Sequence, residues 1–143
     1  MASRAKKIIA AFSLAMLVTG CMSIDLDRTV SCSGEDWLES TLYLGRTMNR
    51  APVSDEAWQA FVESDVTPRF PDGFTFLNGH GAWKNAQLGK TIYENSTLLI
   101  ILHPDTDQNR SNVQAMAEAY RTTFDQEAVL KSHKKVCVEF IAG

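Results

Sequence analysis

The chain has 143 residues, of which 45% are hydrophobic and 22% are charged, as in an ordinary globular domain. This composition excludes a disordered chain and a membrane protein with several spans. The net charge is −3, and because the first 20 residues hold three basic groups and no acidic one, the remainder carries −6. An acidic body without a basic stripe argues against nucleic acid as a partner.

The N-terminus has the pattern of a signal peptide. A short positive segment with Arg4, Lys6 and Lys7 precedes an uncharged run from Ile8 to Val18. As a helix this run would reach only roughly 16 Å, about half of a hydrocarbon core, so it is too short to span a membrane. Residues 1–20 are therefore predicted to be a signal peptide rather than a core helix.

The residues that follow resemble a bacterial lipobox, in which an aliphatic residue and two small residues precede a cysteine. Here Val18, Thr19 and Gly20 precede Cys21. The resemblance implies that Cys21 is acylated, with palmitate among its fatty acids, and anchors the chain in a membrane. Met22 stands where lipoproteins of the inner membrane usually have Asp, which favours the outer membrane and a periplasm-facing protein. Residues 21–36 are then a lipidated tether, and residues 37–143 form one domain.

Two further cysteines, Cys32 and Cys137, form an even pair that an oxidising compartment would join. A loop of about 100 residues closed in this way stabilises the fold by roughly 4–5 kcal/mol in the chain-entropy model. The alternative is two free thiols, with Cys137 as a small core residue.

The sequence of the first half of the domain predicts a strand and a helix. Residues 41–47 alternate and predict a strand. Ser54 is suited to cap a helix whose apolar face contains Trp58 and Phe61, and Pro68 ends it.

The middle of the domain predicts two strands, 73–77 and 91–103, with a turn or bulge at 78–81 and a hairpin loop at 85–90. The apolar run 98–102 is typical of a strand that is covered on both faces.

The last part predicts a helix and a strand. The helix has a stripe of apolar residues at helical spacing, namely Val113, Met116, Ala117, Tyr120 and Phe124. A final strand is predicted at 135–141, with Val136, Val138 and Phe140 on one face, after a basic turn that contains His133.

This order of elements, β-α-β-β-α-β, predicts an α+β ferredoxin-like sandwich in which two helices cover one face of a four-stranded antiparallel sheet. The opposite face must be polar, or be covered by the tether, a ligand or a partner. The partner would be a second copy of the chain or an envelope protein.

The segment 66–75 contains two prolines and a glycine, which make a rigid loop that presents Arg69 and Asp72. A guanidinium on such a loop suits a carboxylate or phosphate group. The alternative is that Arg69 pairs with Asp72 or Glu94 and holds the corner between helix and strand.

The same segment belongs to a set of motifs that resemble an uncharacterised bacterial family, the domain of unknown function 3574 (DUF3574). The resembling segments are 43–46, 53–61, 66–75, Gly81 with Trp83, Glu94 with Ser96, 103–105, Tyr120, Phe124, Gln126, Val129 and Leu130. Arg50, Ala51 and Ala128 depart from the pattern. The resemblance implies an exported protein or lipoprotein and no established activity.

Two functions are compatible with these residues. The first is a membrane-anchored binding or interaction module of the periplasm without catalysis. The alternative is a small enzyme in which Arg46 and Arg69 bind an anion while Glu94 and His80 act as base and acid in one cleft. The sequence contains none of the common nucleophile, metalloprotease, phosphate-loop or dinucleotide motifs, and no metal or cofactor is predicted. Four large aromatic residues, Trp58, Trp83, Tyr120 and Phe124, are predicted to lie in the core.

Overall fold

A computed structural model describes residues 34–48 and 51–141 of the chain. The predicted signal peptide, Cys21 and Cys32 lie outside these residues. Within them the chain forms the strands β1 (Trp37–Gly45), β2 (Thr47–Met48), β3 (Ala51–Pro52), β4 (Thr75–Asn85), β5 (Lys90–Pro104) and β6 (Leu130–Val136), and the helices α1 (Asp55–Phe61) and α2 (Asp107–Thr123).

The four long strands form one antiparallel sheet in the order β4-β5-β1-β6, and the short strands β2 and β3 pair with each other. The helices connect β1 to β4 and β5 to β6, so each helix follows one strand and leads to the next strand of the same direction. This confirms the predicted α+β ferredoxin-like sandwich.

The core lies between the sheet and the two helices. Leu42 and Leu44 of β1 are fully buried on the face that the helices cover, and Leu42 lies opposite Leu99 of β5. The predicted stripe of α2 is buried in full, from Val113 to Phe124. Its largest member, Tyr120, packs edge-on against Phe61 of α1, with ring centroids 5.1 Å apart.

The helix after Ser54 forms as predicted. The Ser54 side chain accepts a hydrogen bond from the backbone N–H of Ala57 at 3.1 Å, and Trp58 and Phe61 face the core. After Phe61 the helix widens into a π-helical turn at Val62–Val66, in which the N–H of Thr67 reaches the carbonyl of Val62. The helical segment thus ends just before Pro68.

The prediction of a turn or bulge at residues 78–81 is wrong. β4 runs without interruption to Asn85 and pairs with β5 from Thr75 to that residue. Gly79 and Gly81 both lie in the extended strand, and neither has a positive φ. The loop that turns the chain is the predicted one near Gly89, whose φ of +63° needs a glycine.

The segment 98–102 is not covered on both faces, contrary to the prediction. Leu99 and Ile101 face the helices and are buried, whereas Leu102 is 47% exposed on the other side. Both helices pack on one face of the sheet, so the apolar residues of β5 on the other face are half-buried or exposed. Trp83, which was predicted to lie in the core, is also exposed.

The last strand lies earlier than predicted. β6 covers Leu130–Val136 and pairs with β1 from Tyr43 back to Trp37. His133 therefore lies in a strand and not in a turn. The strand is at the edge of the sheet, where lysines are favoured. Its polar sequence does not have the apolar alternation by which a strand is predicted. Phe140, predicted on this strand, follows it and packs edge-on against Trp37 with centroids 6.0 Å apart.

Candidate functional site

A cleft of about 430 Å³ opens where the end of β1 meets α1 and the β4–β5 hairpin, and we call it the Arg46 cleft. Its polar lining consists of Arg46, Asp55, Asn78, His80, Asn95 and Ser96, and its aromatic wall consists of Trp58 and Phe76. The two rings meet edge-on with centroids 5.7 Å apart. The volume is in the range of small-molecule sites.

The backbone holds Arg46 on both sides. Its N–H donates to the carbonyl of Asn95 at 2.8 Å, and its own carbonyl accepts from Val53 at 2.8 Å. The first bond continues the pairing of β1 with β5, and the second ties Arg46 to the residue before the helix cap. The position of Arg46 therefore follows from the register of the sheet and from the short turn through β2 and β3.

The Arg46 guanidinium is held against α1. Its Nη2 donates to the carbonyl of Val53 and to Oδ1 of Asp55, each at 3.2 Å. Its central carbon lies 5.0 Å from the ring centroid of Trp58, a cation–π arrangement. The side chain is only 14% exposed, so burial strengthens its interaction with any anion that enters the cleft.

The ion pair with Asp55 leaves Arg46 able to bind a ligand. The Asp55 side chain is 91% exposed, and a pair with such a partner is weak in water. Among the described residues, neither Nη1 nor Nε of Arg46 makes a hydrogen bond. Two guanidinium nitrogens are thus available for a carboxylate or a phosphate.

A second cluster lies beside the cleft, around Gly45. The Tyr120 hydroxyl donates to the carbonyl of Gly45 at 2.7 Å. Burial raises the pKa of Tyr120 to about 12; the charge of Arg46 opposes this rise, and the charge of Glu94 adds to it. A Cβ at position 45 would lie 2.5 Å from Oε1 of Gln126 and 2.7 Å from Oε1 of Glu94. Glycine at this position lets the ends of both side chains lie close to the backbone, and a larger residue would displace them.

Two of the sequence-predicted site residues share the cleft, and three do not. Arg46 and His80 both line the Arg46 cleft. Glu94 lies beside Gly45, next to the cleft but not in its lining. Arg69 and Asp72 line a different groove, so the four residues suggested for an enzyme do not line one cleft.

Arg69 has a partner that the sequence analysis did not consider. Its Nη1 donates to the backbone carbonyl of Asp65 at 2.6 Å and to Oδ1 of the same residue at 3.2 Å. Pairing of Arg69 with Asp72 or Glu94 is therefore wrong. The π-helical turn brings Asp65 under Arg69, which is four residues further along the chain.

The second groove, of about 320 Å³, lies between the loop after the π-helical turn and the segment that follows β6. We call it the Trp37 groove. It is mostly apolar, and its larger side chains are Trp37, Phe70, Phe74, Ile100, Leu102 and Phe140.

One polar pair was missed by the sequence analysis. Ser40 and His103 are both buried, and Ser40 Oγ lies 2.9 Å from Nε2 of His103. The other ring nitrogen lies 2.9 Å from the carbonyl of Pro104. A carbonyl only accepts, so Nδ1 carries a proton toward Pro104. With this tautomer, the serine hydroxyl donates to Nε2. The alternation of β5, which puts Ile101 and His103 on one face, was the signal that could have found it.

Asn78 and Asn95 of the cleft were missed as well. Asn78 lies on β4, and Asn95 lies on β5 opposite His80. Neither asparagine belongs to a recognisable sequence motif. Their role follows only from the register.

The predicted anchor and disulfide remain predictions. Cys21 and Cys32 lie outside the described residues, and Cys137 directly follows β6. In the part of the chain that the structure describes, no helix is long and apolar enough to cross a membrane. Residues 34–48 and 51–141 also contain no group of three or more metal-binding side chains.

The fold and the cleft define a small ferredoxin-like α+β protein with one polar, aromatic-walled site at the end of its central strand. The family model described as "Protein of unknown function (DUF3574)" matches residues 39–140. The chain therefore belongs to the DUF3574 family, which confirms the resemblance seen in the sequence. No curated protein matches the sequence.

Several solved structures are similar to this chain, and those with TM-scores above 0.5 share its fold. A phage SAM lyase in complex with S-methyl-5'-thioadenosine is similar with a TM-score of 0.56 and 16% identity, over 80% of this chain and 98% of that chain. The apo state of a phage SAM lyase gives 0.54 and 17% identity, over 78% and 98%. CutA from Synechococcus elongatus, complexed with Bis-Tris, gives 0.47 and 6%, over 72% and 82%. At such identities the likeness shows the fold alone.

Proposed function

We propose that the protein is a lipid-anchored binding protein of the bacterial envelope that takes a small ligand in the Arg46 cleft. The observation that carries this proposal is the guanidinium of Arg46. It is largely buried, it is stacked on Trp58, and it has two nitrogens without partners among the described residues at a cleft of suitable volume. A buried cation with free donors favours an anionic group far more than a surface arginine does.

The lining indicates the kind of ligand. Arg46 suits a carboxylate or phosphate, the wall of Trp58 and Phe76 suits a planar ring, and Asp55 suits a positive group. The amides of Asn78 and Asn95 supply donors and acceptors for ring substituents. A small molecule that combines an anionic group with an aromatic ring fits these requirements. S-adenosylmethionine, which has a carboxylate and an adenine ring, is the first compound to test. S-methyl-5'-thioadenosine, with which a phage protein of similar fold is described, has the ring without an anionic group and shows what the carboxylate contributes.

Binding is tested by calorimetric titration of the full chain with these two compounds and with inorganic phosphate. We expect at least one of them to bind, and Arg46→Gln to weaken that binding by at least tenfold. Arg69→Gln is the matched control, because it removes the same charge from the Trp37 groove and should leave the affinity unchanged. Equal affinity of the wild type and Arg46→Gln would contradict the proposed site.

The anchor is proposed from the sequence pattern around Cys21, with Met22 favouring the outer membrane. Cells that express the chain should incorporate labelled palmitate into it and should accumulate the precursor when treated with globomycin. Cys21→Ser should abolish the labelling. A wild-type chain that takes up no label, while a known lipoprotein in the same cells does, would refute the anchor.

A catalytic role is the second candidate, favoured by the presence of Arg46 and His80 in one cleft. The test is to incubate the protein with S-adenosylmethionine and to follow the formation of S-methyl-5'-thioadenosine by chromatography. Product formation that is lost in His80→Ala would support an enzyme. Binding without turnover would leave the binding protein as the function.

A further inference from the structure

We propose that the face of the sheet opposite the helices, here called the open face, is an interface between two copies of this chain. The proposal starts from one row of side chains. Leu77 of β4 lies opposite Leu98 of β5, which lies opposite Tyr43 of β1, which in turn lies opposite Leu130 of β6. All four side chains point away from the helices, so an apolar ridge crosses the entire sheet.

The ridge is bordered by shallower rows. On one side the next row across three strands is Gly79, Ser96 and Gly45, and on the other side the next row across four strands is Thr75, Ile100, Thr41 and Ser132. At Gly45 the side chains of Glu94 and Gln126 lie over the backbone. The row on the other side has mostly small side chains and forms a groove beside the ridge. A surface of this shape can pack against its own copy, with each ridge in a groove of the other.

The exposed area of the open face is close to the area that an association between two copies requires. Leu77 is 53% exposed and Leu130 is 63% exposed, and Leu102 and Trp83 extend the same face in both directions. Trp83 lies about 20 Å along β4 from Leu77, so it is separate from the ridge. The ridge with Leu102 leaves roughly 400 Å² of mostly apolar surface, as large as the largest patch of a typical monomer. With its polar border the face approaches the ~800 Å² per partner of a stable interface.

The distribution of charge favours a second copy over a membrane surface. The ridge carries no charge, and the nearest charged groups are Glu94 toward the hairpin and the ion pair of Lys134 with Glu39, 3.1 Å apart, toward the other end. An uncharged centre with a polar rim is the anatomy of a protein interface. An anionic membrane would require several unpaired basic groups on this face, and the domain is acidic.

The edge of the sheet does not offer an alternative contact at β6. This strand carries Lys131, Lys134 and Lys135, and lysines on an edge strand oppose pairing with another strand. The contact between copies is therefore expected face to face.

The first experiment tests in cells whether a second copy of the chain contacts the open face. A photo-crosslinking amino acid replaces Leu77 in the full chain, and two copies with different epitope tags are co-expressed. We expect a product of about twice the mass of the mature monomer that carries both tags. The matched control places the crosslinker at Leu88, an exposed leucine of the hairpin loop, and should give no such product. Crosslinks from position 77 to lipid or to a different protein, without the doubly tagged product, would overturn the proposal.

The second experiment measures the strength of the association on purified full-length protein by sedimentation. We expect Leu130→Glu to raise the dissociation constant at least tenfold. Leu88→Glu is matched to it in residue type, in added charge and in its exposed fraction of 63%, and should leave the constant unchanged. Circular dichroism must show both variants folded. A wild-type protein that stays monomeric at 100-fold the concentration found in cells, or equal constants for both variants, would refute the interface. Neither outcome depends on ligand binding in the Arg46 cleft.

Discussion

Tyr120 shows how a single buried hydroxyl links the core to the candidate site. Its ring packs among Phe61, Trp58 and Phe124, while its hydroxyl reaches the carbonyl of Gly45, one residue before Arg46. The side chain is fully buried, so this carbonyl has no access to water on that side. The bond therefore fixes the end of β1 from which Arg46 enters the cleft.

Removal of the hydroxyl is expected to weaken the fold and to change its dependence on pH. Tyr120→Phe should lower the free energy of unfolding by about 1–2 kcal/mol, because the Gly45 carbonyl loses its partner. In the wild type, the raised pKa of about 12 means that the folded state keeps its proton between pH 10 and 12 while the unfolded state loses it. The resulting stabilisation is complete below pH 10 and is lost as the pH rises toward 12.

The measurement is urea unfolding of the wild type and of Tyr120→Phe between pH 8 and 12. The variant should lack the part of the decline that Tyr120 causes. The difference in tyrosinate absorbance between the two folded proteins should have its midpoint near 12, and a midpoint near 10 would show that the hydroxyl is not buried as described. Tyr93→Phe is the control, because it removes the hydroxyl of an exposed tyrosine on β5.

The Ser40–His103 pair provides a second test at this scale. Ser40→Ala should destabilise the protein by about 1–3 kcal/mol, because Nε2 of the buried histidine is left without a partner. Ser132→Ala removes a serine from an exposed strand position and should cost much less. Chemical denaturation of both variants measures the difference, and equal small losses would mean that water replaces the serine hydroxyl.

At the scale of single elements, the helices and the hairpin loop could be predicted, and the extent of β4 could not. Local sequence signals predict the helices, because these signals depend only on neighbours along the chain. They are the cap at Ser54 and the helical spacing of Val113, Met116 and Tyr120. In β4, two glycines indicate a turn by composition, yet pairing with β5 supplies the hydrogen bonds that keep Gly79 and Gly81 extended. The position of β6 was missed for the same reason, because its partner β1 lies about 90 residues earlier.

The glycines of the hairpin should respond to substitution with opposite signs. Gly81→Ala should stabilise the fold by about 0.5–1 kcal/mol, because the backbone is already extended and a Cβ meets only an ordinary contact with the carbonyl of Glu94 at 3.8 Å. Gly89→Ala should destabilise it by about 1 kcal/mol, because φ is +63°. Thermal unfolding distinguishes the two, and a loss in both variants would indicate that β4 is bent at position 81.

At the scale of the whole molecule, the class of fold followed from the order of the elements, whereas the site depended on register. Arg46 and His80 were identified as candidates by residue type, but their meeting requires β1, β4 and β5 to align as they do. The surroundings of Arg69 could be predicted only in part. Its place on a proline-rich loop was evident, and its partner Asp65 was set by a π-helical turn that has no sequence signature.

The predicted disulfide between Cys32 and Cys137 is tested on the whole chain. Mass spectrometry without reductant should find one peptide that contains both residues, and reduction should lower the free energy of unfolding by roughly 4 kcal/mol in the chain-entropy model. Cys137→Ser should then unfold as the reduced wild type does, with no further effect of reductant. Full alkylation of both thiols in the untreated protein would contradict the prediction.

The direction of β1 places the Arg46 cleft at the opposite end of the strand from Trp37. Its first residue, Trp37, follows the proposed tether, and its last residue, Gly45, adjoins the Arg46 cleft some nine residues later. An extended strand of this length spans about 30 Å, and the hairpin reaches further still in the same direction. A chain held by Cys21 would present its cleft to the aqueous space rather than to the lipid, so diffusing solutes could reach Arg46 without crossing the headgroup layer.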